Sequence, residues 1–149
     1  MRAVSLICLC AALALTVTSS AAASTRGWSS AGRMKDIRSG HAAVLLDNGK
    51  VLVAGGRGSW GDLASAELFD PATAPWTPAA SMREPRGNLA LLKLRGGQVL
   101  AVGGDAEGRT AELHDPARNR WTPPGSLAVG RENAQAVALS YGDVPVSGL

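Results

Sequence analysis

Almost everything between Met34 and Leu127 is written twice, and this repetition limits the chain more than any single motif. Gly49-Lys50-Val51-Leu52-Val53-Ala54-Gly55-Gly56 returns 48 residues on as Gly97-Gln98-Val99-Leu100-Ala101-Val102-Gly103-Gly104, and Met34 and Arg38 return as Met82 and Arg86. Past the paired glycines the offset falls to 45, so Ala66-Glu67-Leu68-Phe69-Asp70-Pro71 becomes Ala111-Glu112-Leu113-His114-Asp115-Pro116, and Trp76-Thr77-Pro78 becomes Trp121-Thr122-Pro123. Leu127 and Arg131 then open a third copy. The three-residue difference lies between the glycines and the Ala-Glu-Leu motif, where Arg57–Ser65 faces the shorter Asp105–Thr110. Surface loops change length in this way without disturbing the elements around them. A period of this size means one supersecondary unit that buries its apolar faces by stacking on its neighbours.

Each copy reads as four short strands. In the first they are Ala42–Leu46, Lys50–Ala54, Ser65–Phe69 and a short piece from Trp76; in the second, Leu89–Leu94, Gln98–Val102, Thr110–His114 and a piece at Trp121. Asn48-Gly49 predicts a primed hairpin turn with positive φ at its central residues. Asp70-Pro71 and Asp115-Pro116 stop the third strand, because proline has no N–H to give a ladder. With 18 glycines and 8 prolines the composition argues against a helical bundle. Successive strands joined by short turns form an antiparallel meander. Val51-Leu52-Val53 is apolar on both faces, as suits a sheet packed between sheets, and radial stacking of such sheets gives a propeller. Gly55-Gly56 and Gly103-Gly104 supply positive φ and close approach where sheets crowd.

The first residues are of another kind. Arg2, an apolar run from Ala3 to Val17 and the small residues ending at Ala23-Ser24 make a signal peptide over residues 1–23, with 24–33 as a linker. The run falls short of the ~20 residues of a spanning helix, so no stable transmembrane segment is expected after cleavage, and the expected location is secreted or periplasmic. Both cysteines, Cys8 and Cys10, belong to the part removed, which leaves none for a disulfide. The net charge of +3 is spread without a like-charge block, which speaks against nucleic acid or a polybasic membrane patch.

Arg38-Ser39-Gly40-His41, Val51–Gly56, Ala66–Pro71 and Trp76-Thr77, with their counterparts in the second copy, resemble the kelch repeats, in the secreted bacterial form related to the β-propeller domain of galactose oxidase. The resemblance covers repeat 1 (residues 34–81), repeat 2 (82–126) and a partial repeat 3 (127–149). It implies an all-β fold, a partial kelch-type propeller of antiparallel four-stranded blades, from a family whose rings usually have six or seven. His114 replaces the aromatic of Phe69, and His41 has Leu89 and Ala134 as its counterparts. Pro145 stands where the earlier copies have Leu52 and Leu100 and is expected to interrupt a ladder. Stopping short of a full ring, the chain is expected to be a fragment of a larger propeller, or one that self-associates through open blade edges.

Little here points to catalysis. His41 and His114 occupy different repeat positions, and no HExxH, Gly-x-Ser-x-Gly or phosphate loop is present, so neither a metal nor a cofactor is expected. The galactose oxidase-like enzymes hold copper with tyrosines, histidines and a cysteine-linked tyrosine, whereas this chain has one tyrosine, Tyr141; the resemblance therefore does not extend to oxidase activity. Glu67 and Glu112 recur in the third strand, and Arg38, Arg86 and Arg131 before the first, which points to a shared structural task such as an arginine–glutamate pair or donation to strand-edge carbonyls. Asp70, Asp115, Trp76 and Trp121 belong to the same skeleton. Binding is expected in the variable loop of Arg57, Ser59, Trp60 and Asp62, where the indole stacks on a sugar or anchors a protein; alternatively Trp60 folds back over the blade edge, and Trp28 does the same. Two functions follow: a noncatalytic exported segment that binds protein or carbohydrate, or a non-catalytic piece of a larger galactose oxidase-like or glycan-active enzyme whose active-site residues lie elsewhere.

Overall fold

The computed structural model describes residues 30–130, 133–140 and 142–148. The signal peptide with Cys8 and Cys10, Trp28, Arg131 and Tyr141 lie outside the described residues.

Two four-stranded antiparallel blades are stacked face to face. Blade 1 runs β1 (Ala42–Leu45), β2 (Val51–Ala54), β5 (Ala66–Phe69), β6 (Trp76–Ala79), and a small hairpin, β3 (Arg57–Gly58) and β4 (Gly61–Asp62), is inserted between its second and third strands. Blade 2 runs β7 (Ala90–Lys93), β8 (Val99–Val102), β9 (Thr110–Asp115), β10 (Arg120–Ser126), with a bulge between Thr122 and Gly125. The registers repeat as the sequence does: Val53 faces Glu67 and Ala101 faces Glu112, while Phe69 faces Trp76 and His114 faces Trp121. The third unit is a two-stranded hairpin among the described residues, β11 (Gln135–Ala136) with β12 (Val146–Ser147), much shorter than the strand expected from Gln135 to Leu139. Pro145 stands just before β12, and its carbonyl accepts the Val137 N–H at 3.3 Å.

The turn between the first two strands differs from the expected primed type. The Leu46 carbonyl accepts the Gly49 N–H at 3.0 Å and the Leu46 N–H donates to Lys50 O at 2.8 Å; within the turn only Gly49 has positive φ, at 80°. This is a three-residue loop with a glycine bulge, the next commonest hairpin connection. Leu94/Gly97 and Leu139/Gly142 close the same loop in the later units. A second left-handed position recurs two residues after each repeat arginine: Gly40 (58°), Asn88 (52°) and Asn133 (50°), filled by the residue types that tolerate it.

The core lies between the blades. Leu46, Leu52, Ala54 and Ala66 from blade 1 meet Met82, Leu89, Val99 and Ala101 from blade 2, with Leu68, Leu91 and Trp121 packed at its margin. Strand alternation explains the choice: even-numbered residues of β2 point to blade 2 and odd-numbered residues of β8 point to blade 1. Backbone bonds stitch the stack as well, with the Gly56 N–H donating to Arg86 O at 2.7 Å and the Arg86 N–H to Leu63 O at 3.0 Å.

Candidate functional site

The repeat arginines and glutamates come together inside each blade. Arg38 Nη2 donates to Glu67 Oε1 at 3.0 Å and its Nη1 to the carbonyls of Gly55 and Ser65 at 2.8 and 3.0 Å. Arg86 Nη2 donates to Glu112 Oε1 at 3.1 Å and its Nη1 to the carbonyls of Gly103 and Thr110, both at 2.9 Å. Each glutamate also receives two backbone N–H groups from the chain entering the blade: Lys35 and Asp36 on Glu67, Arg83 and Glu84 on Glu112. Both guanidinium groups are wholly buried. With the carboxylates and carbonyls occupied, these pairs act as structural latches, although Arg38 Nε is buried without a partner. Asp70 and Asp115 are held below the usual carboxylate range, chiefly by side-chain bonds from Lys50 and Arg118, and they cap their turns.

His114 fills the aromatic slot before Asp115. Its ring centroid lies 4.7 Å from that of Trp121, as Phe69 lies 5.2 Å from Trp76. Its Nε2 is 3.3 Å from Asn119 Oδ1, which also accepts the Ala80 N–H at 2.9 Å, while Nδ1 is buried without a partner. Burial holds this imidazole below its ordinary value, against the opposing Asn119 bond and Asp115 charge. His41 is exposed. Among the described residues no three His, Cys, Asp or Glu side chains gather to hold a metal ion.

The variable loop is an ordered hairpin. Ser39 and Arg57 exchange backbone bonds of 3.0 and 2.7 Å, the Leu63 N–H donates to Gly56 O at 2.8 Å, and Arg57 Nε meets Asp62 Oδ1 at 3.0 Å across the two strands. The Asp62 carboxylate lies against Gly87, where a Cβ would come within 2.7 Å of Oδ1. Ser59 and Trp60 form the tip, and Trp60 is 101% exposed, so the expected fold-back over the blade edge does not occur. The two-residue connection between Gly58 and Gly61 leaves the indole projecting into solvent. Beside it a shallow cleft of about 340 Å³ is lined by Lys35, Asp36, Ile37, Ser59, Trp60 and Leu63, among others, and Ile37 is 84% exposed. Ile37 went unnoticed in the sequence because it stands before the latch arginine, where Pro85 and Gly130 stand in the other units. On the hairpin's far side, Arg57, Asp62, Asn88, Asp105 and Asn133 line a polar cleft of about 290 Å³.

The Kelch motif matches residues 38–83, from the first latch arginine to just past Met82. That stretch is the first blade with its latch and the entry to the second. Repeat 2 carries the same latches, turns and registers as the matched stretch, and the all-β stack of blades is a partial kelch-type propeller. Among solved structures the chain is similar to a fungal alcohol oxidase of the AA5 family, in complex with copper, at 27% identity and a TM-score of 0.50. The match covers 59% of this chain and 19% of that one, so the chain spans about a fifth of the oxidase's length. No curated protein matches.

Proposed function

We propose that this chain is a noncatalytic, exported binding segment whose anchor is Trp60, and that its ligand is a protein surface with an apolar pocket. The full exposure of Trp60 on an anchored hairpin carries the reading. The backbone bonds to Ser39 and the Arg57–Asp62 pair order the hairpin backbone that carries the indole before any ligand arrives. Such preorganisation lowers the ordering cost of binding. Burying a tryptophan removes roughly 150–250 Å² from water, worth about 4–6 kcal/mol gross before association costs. Both faces of the indole are open and Ile37 stands beside it, which suits insertion into a pocket; a sugar ring stacks on one face only.

The test pans a displayed peptide library on the chain and counter-pans on Trp60→Ala, with a glycan array run in parallel. Peptide binders that depend on Trp60 are expected. Trp60-dependent glycan hits would transfer the reading to carbohydrate, and the absence of any Trp60-dependent ligand would refute it. A second reading, a non-catalytic stretch of a larger oxidase, is supported by the 27% identity to the copper enzyme; in it, the reacting residues belong to blades outside this sequence.

A further inference from the structure

The β3–β4 hairpin is a ridge between two clefts, and the charges on their walls do not balance. The apolar cleft holds Lys35 and Asp36 beside Ile37 and Trp60, the polar one holds Arg57 and Asp105, and Asp62 lines both. The three carboxylates of these clefts are engaged from within the chain. Asp36 Oδ2 lies 3.3 Å from Arg38 Nη2 and accepts the Ser65 hydroxyl at 2.5 Å. Asp62 Oδ1 accepts Arg57 Nε–H at 3.0 Å, and Asp105 Oδ1 lies 3.2 Å from Arg86 Nη1. The cations are not matched in return. Lys35 is exposed and its ammonium makes no ion pair among the described residues. Arg57, with a side chain 70% exposed, commits only Nε and keeps both Nη groups open.

The repeat shows that another blade of the same chain would leave Lys35 and Ile37 uncovered. Lys35, Asp36 and Ile37 lead into blade 1 as Arg83, Glu84 and Pro85 lead into blade 2. Blade 2 has its predecessor packed against it, and Arg83, Glu84 and Pro85 are exposed all the same. A blade set ahead of blade 1 by the same geometry therefore does not close over this segment. The segment is also fixed in place, since the Lys35 and Asp36 N–H groups donate to Glu67 at 2.8 and 3.2 Å. That task uses only the backbone of Lys35 and leaves its side chain unassigned.

Resting on the reading of Trp60 as an anchor, we infer that the partner is an acidic protein segment. The apolar pocket that receives Trp60 is rimmed by aspartate or glutamate, one side chain meeting the Lys35 ammonium and another the open fork of Arg57. Two Nη groups present parallel donors that a carboxylate takes with both oxygens. Exposed pairs of this kind add modest affinity, but they steer the encounter and select the partner.

The test sequences the Trp60-dependent peptides selected from a displayed library, then titrates one synthetic binder into the parent chain, Lys35→Gln and Lys35→Glu. An excess of aspartate and glutamate beside an apolar residue is expected. Affinity should fall by up to about fivefold in Lys35→Gln and further in Lys35→Glu, and the difference should shrink at high salt. Selection on Lys35→Glu should return basic sequences in place of acidic ones. Both variants should melt with the parent, because the Lys35 side chain pairs with nothing in the fold. Trp60-dependent peptides without an acidic excess, or bound equally by Lys35→Glu, would overturn the acidic partner and leave the Trp60 anchor standing. The absence of any Trp60-dependent peptide would overturn both. Trp60-dependent binding of sulfated glycans alone would assign the charge to carbohydrate and overturn the protein partner.

Discussion

His114 makes this fold sensitive to mild acid, and the chain contains its own control. In the folded state the imidazole is 1% exposed, its Nδ1 has no partner, and the nearest polar groups are Asn119 Oδ1 and the neighbouring Asp115. Burial dominates and lowers its folded-state value below the 6.5 expected for the unfolded chain. For a base lowered in this way, the unfolded chain takes the proton first. Stability is therefore full above pH 6.5 and falls as pH drops below it, by about 1.4 kcal/mol per pH unit for one proton, until the folded imidazole also protonates. Asp70 and Asp115 act in a separate window: their contribution is complete above their ordinary value of 3.8 and is lost only as pH falls below it through their lowered folded values.

His114→Phe copies Phe69 into the second blade. It removes the unpartnered Nδ1, a desolvation cost of about 1–3 kcal/mol, and gives up a 3.3 Å bond whose acceptor keeps the Ala80 N–H. Urea unfolding followed by tryptophan fluorescence at pH 7.5, 6.5, 5.5 and 4.5 should show the parent losing stability through this range while His114→Phe stays nearly flat. The phenylalanine variant should be at least as stable at pH 7.5. An unchanged acid slope in His114→Phe would refute the reasoning, because the protons would then be entering elsewhere.

Three further outcomes follow from the same contacts. Glu112→Ala removes the nearer carboxylate from a wholly buried guanidinium, which keeps Asp105 at 3.2 Å, and unpairs two backbone N–H groups; it should cost about 3 kcal/mol in urea unfolding, with Glu67→Ala, which leaves Arg38 with Asp36, close behind. Gly104→Ala puts a Cβ 2.4 Å from Gly87 O at φ 73°, whereas Gly49→Ala at φ 80° meets nothing within 4 Å; thermal melts should show the second losing about 1–2 kcal/mol and the first clearly more. Trp60→Ala should leave the melting curve unchanged within about 0.5 kcal/mol, since a side chain that touches nothing in the fold supports nothing in it.

The architecture was legible because recurrence separates positions the fold needs from positions it tolerates. Arg38 and Glu67 could be linked across 29 residues only because Arg86 and Glu112 repeat the relation. The backbone half of each latch was not legible: Lys35 and Asp36 enter as N–H donors, and Arg83 and Glu84 do the same with different side chains. The turn was misjudged by reading Asn48-Gly49 alone. Glycine is constant at Gly49, Gly97 and Gly142, while the residue before it is Asn, Gly or Tyr, a pattern that asks for positive φ at one position rather than two. Gly40, Asn88 and Asn133 carried an equally readable signal, small left-handed-tolerant residues at one place in every unit. The segment ahead of blade 1 also keeps the period: Trp28 stands 48 residues before Trp76, and Ala31 O accepts the Trp76 indole N–H at 2.8 Å as Ala80 O accepts that of Trp121.

The exposure of Trp60 could not be read from its residue type, because burial of an indole is set by what surrounds it, and no second copy of the β3–β4 hairpin exists for comparison. That same uniqueness is the argument for function. Where two units share a residue, they also share its contacts, and the contact explains the residue. Arg57–Asp62, Trp60 and Ile37 break the pattern together, in one blade, on one side of the stack. Blade 2 closes the same connection with a turn from Asp105 to Gly108, its N–H and carbonyl 2.9 Å apart, so the fold has no need of a longer one. The extra residues in blade 1 bring no apolar burial to the core and project its most exposed side chain. A segment that the architecture does without is therefore where the proposed binding role belongs, and Trp60 is the side chain in it that a ligand could bury.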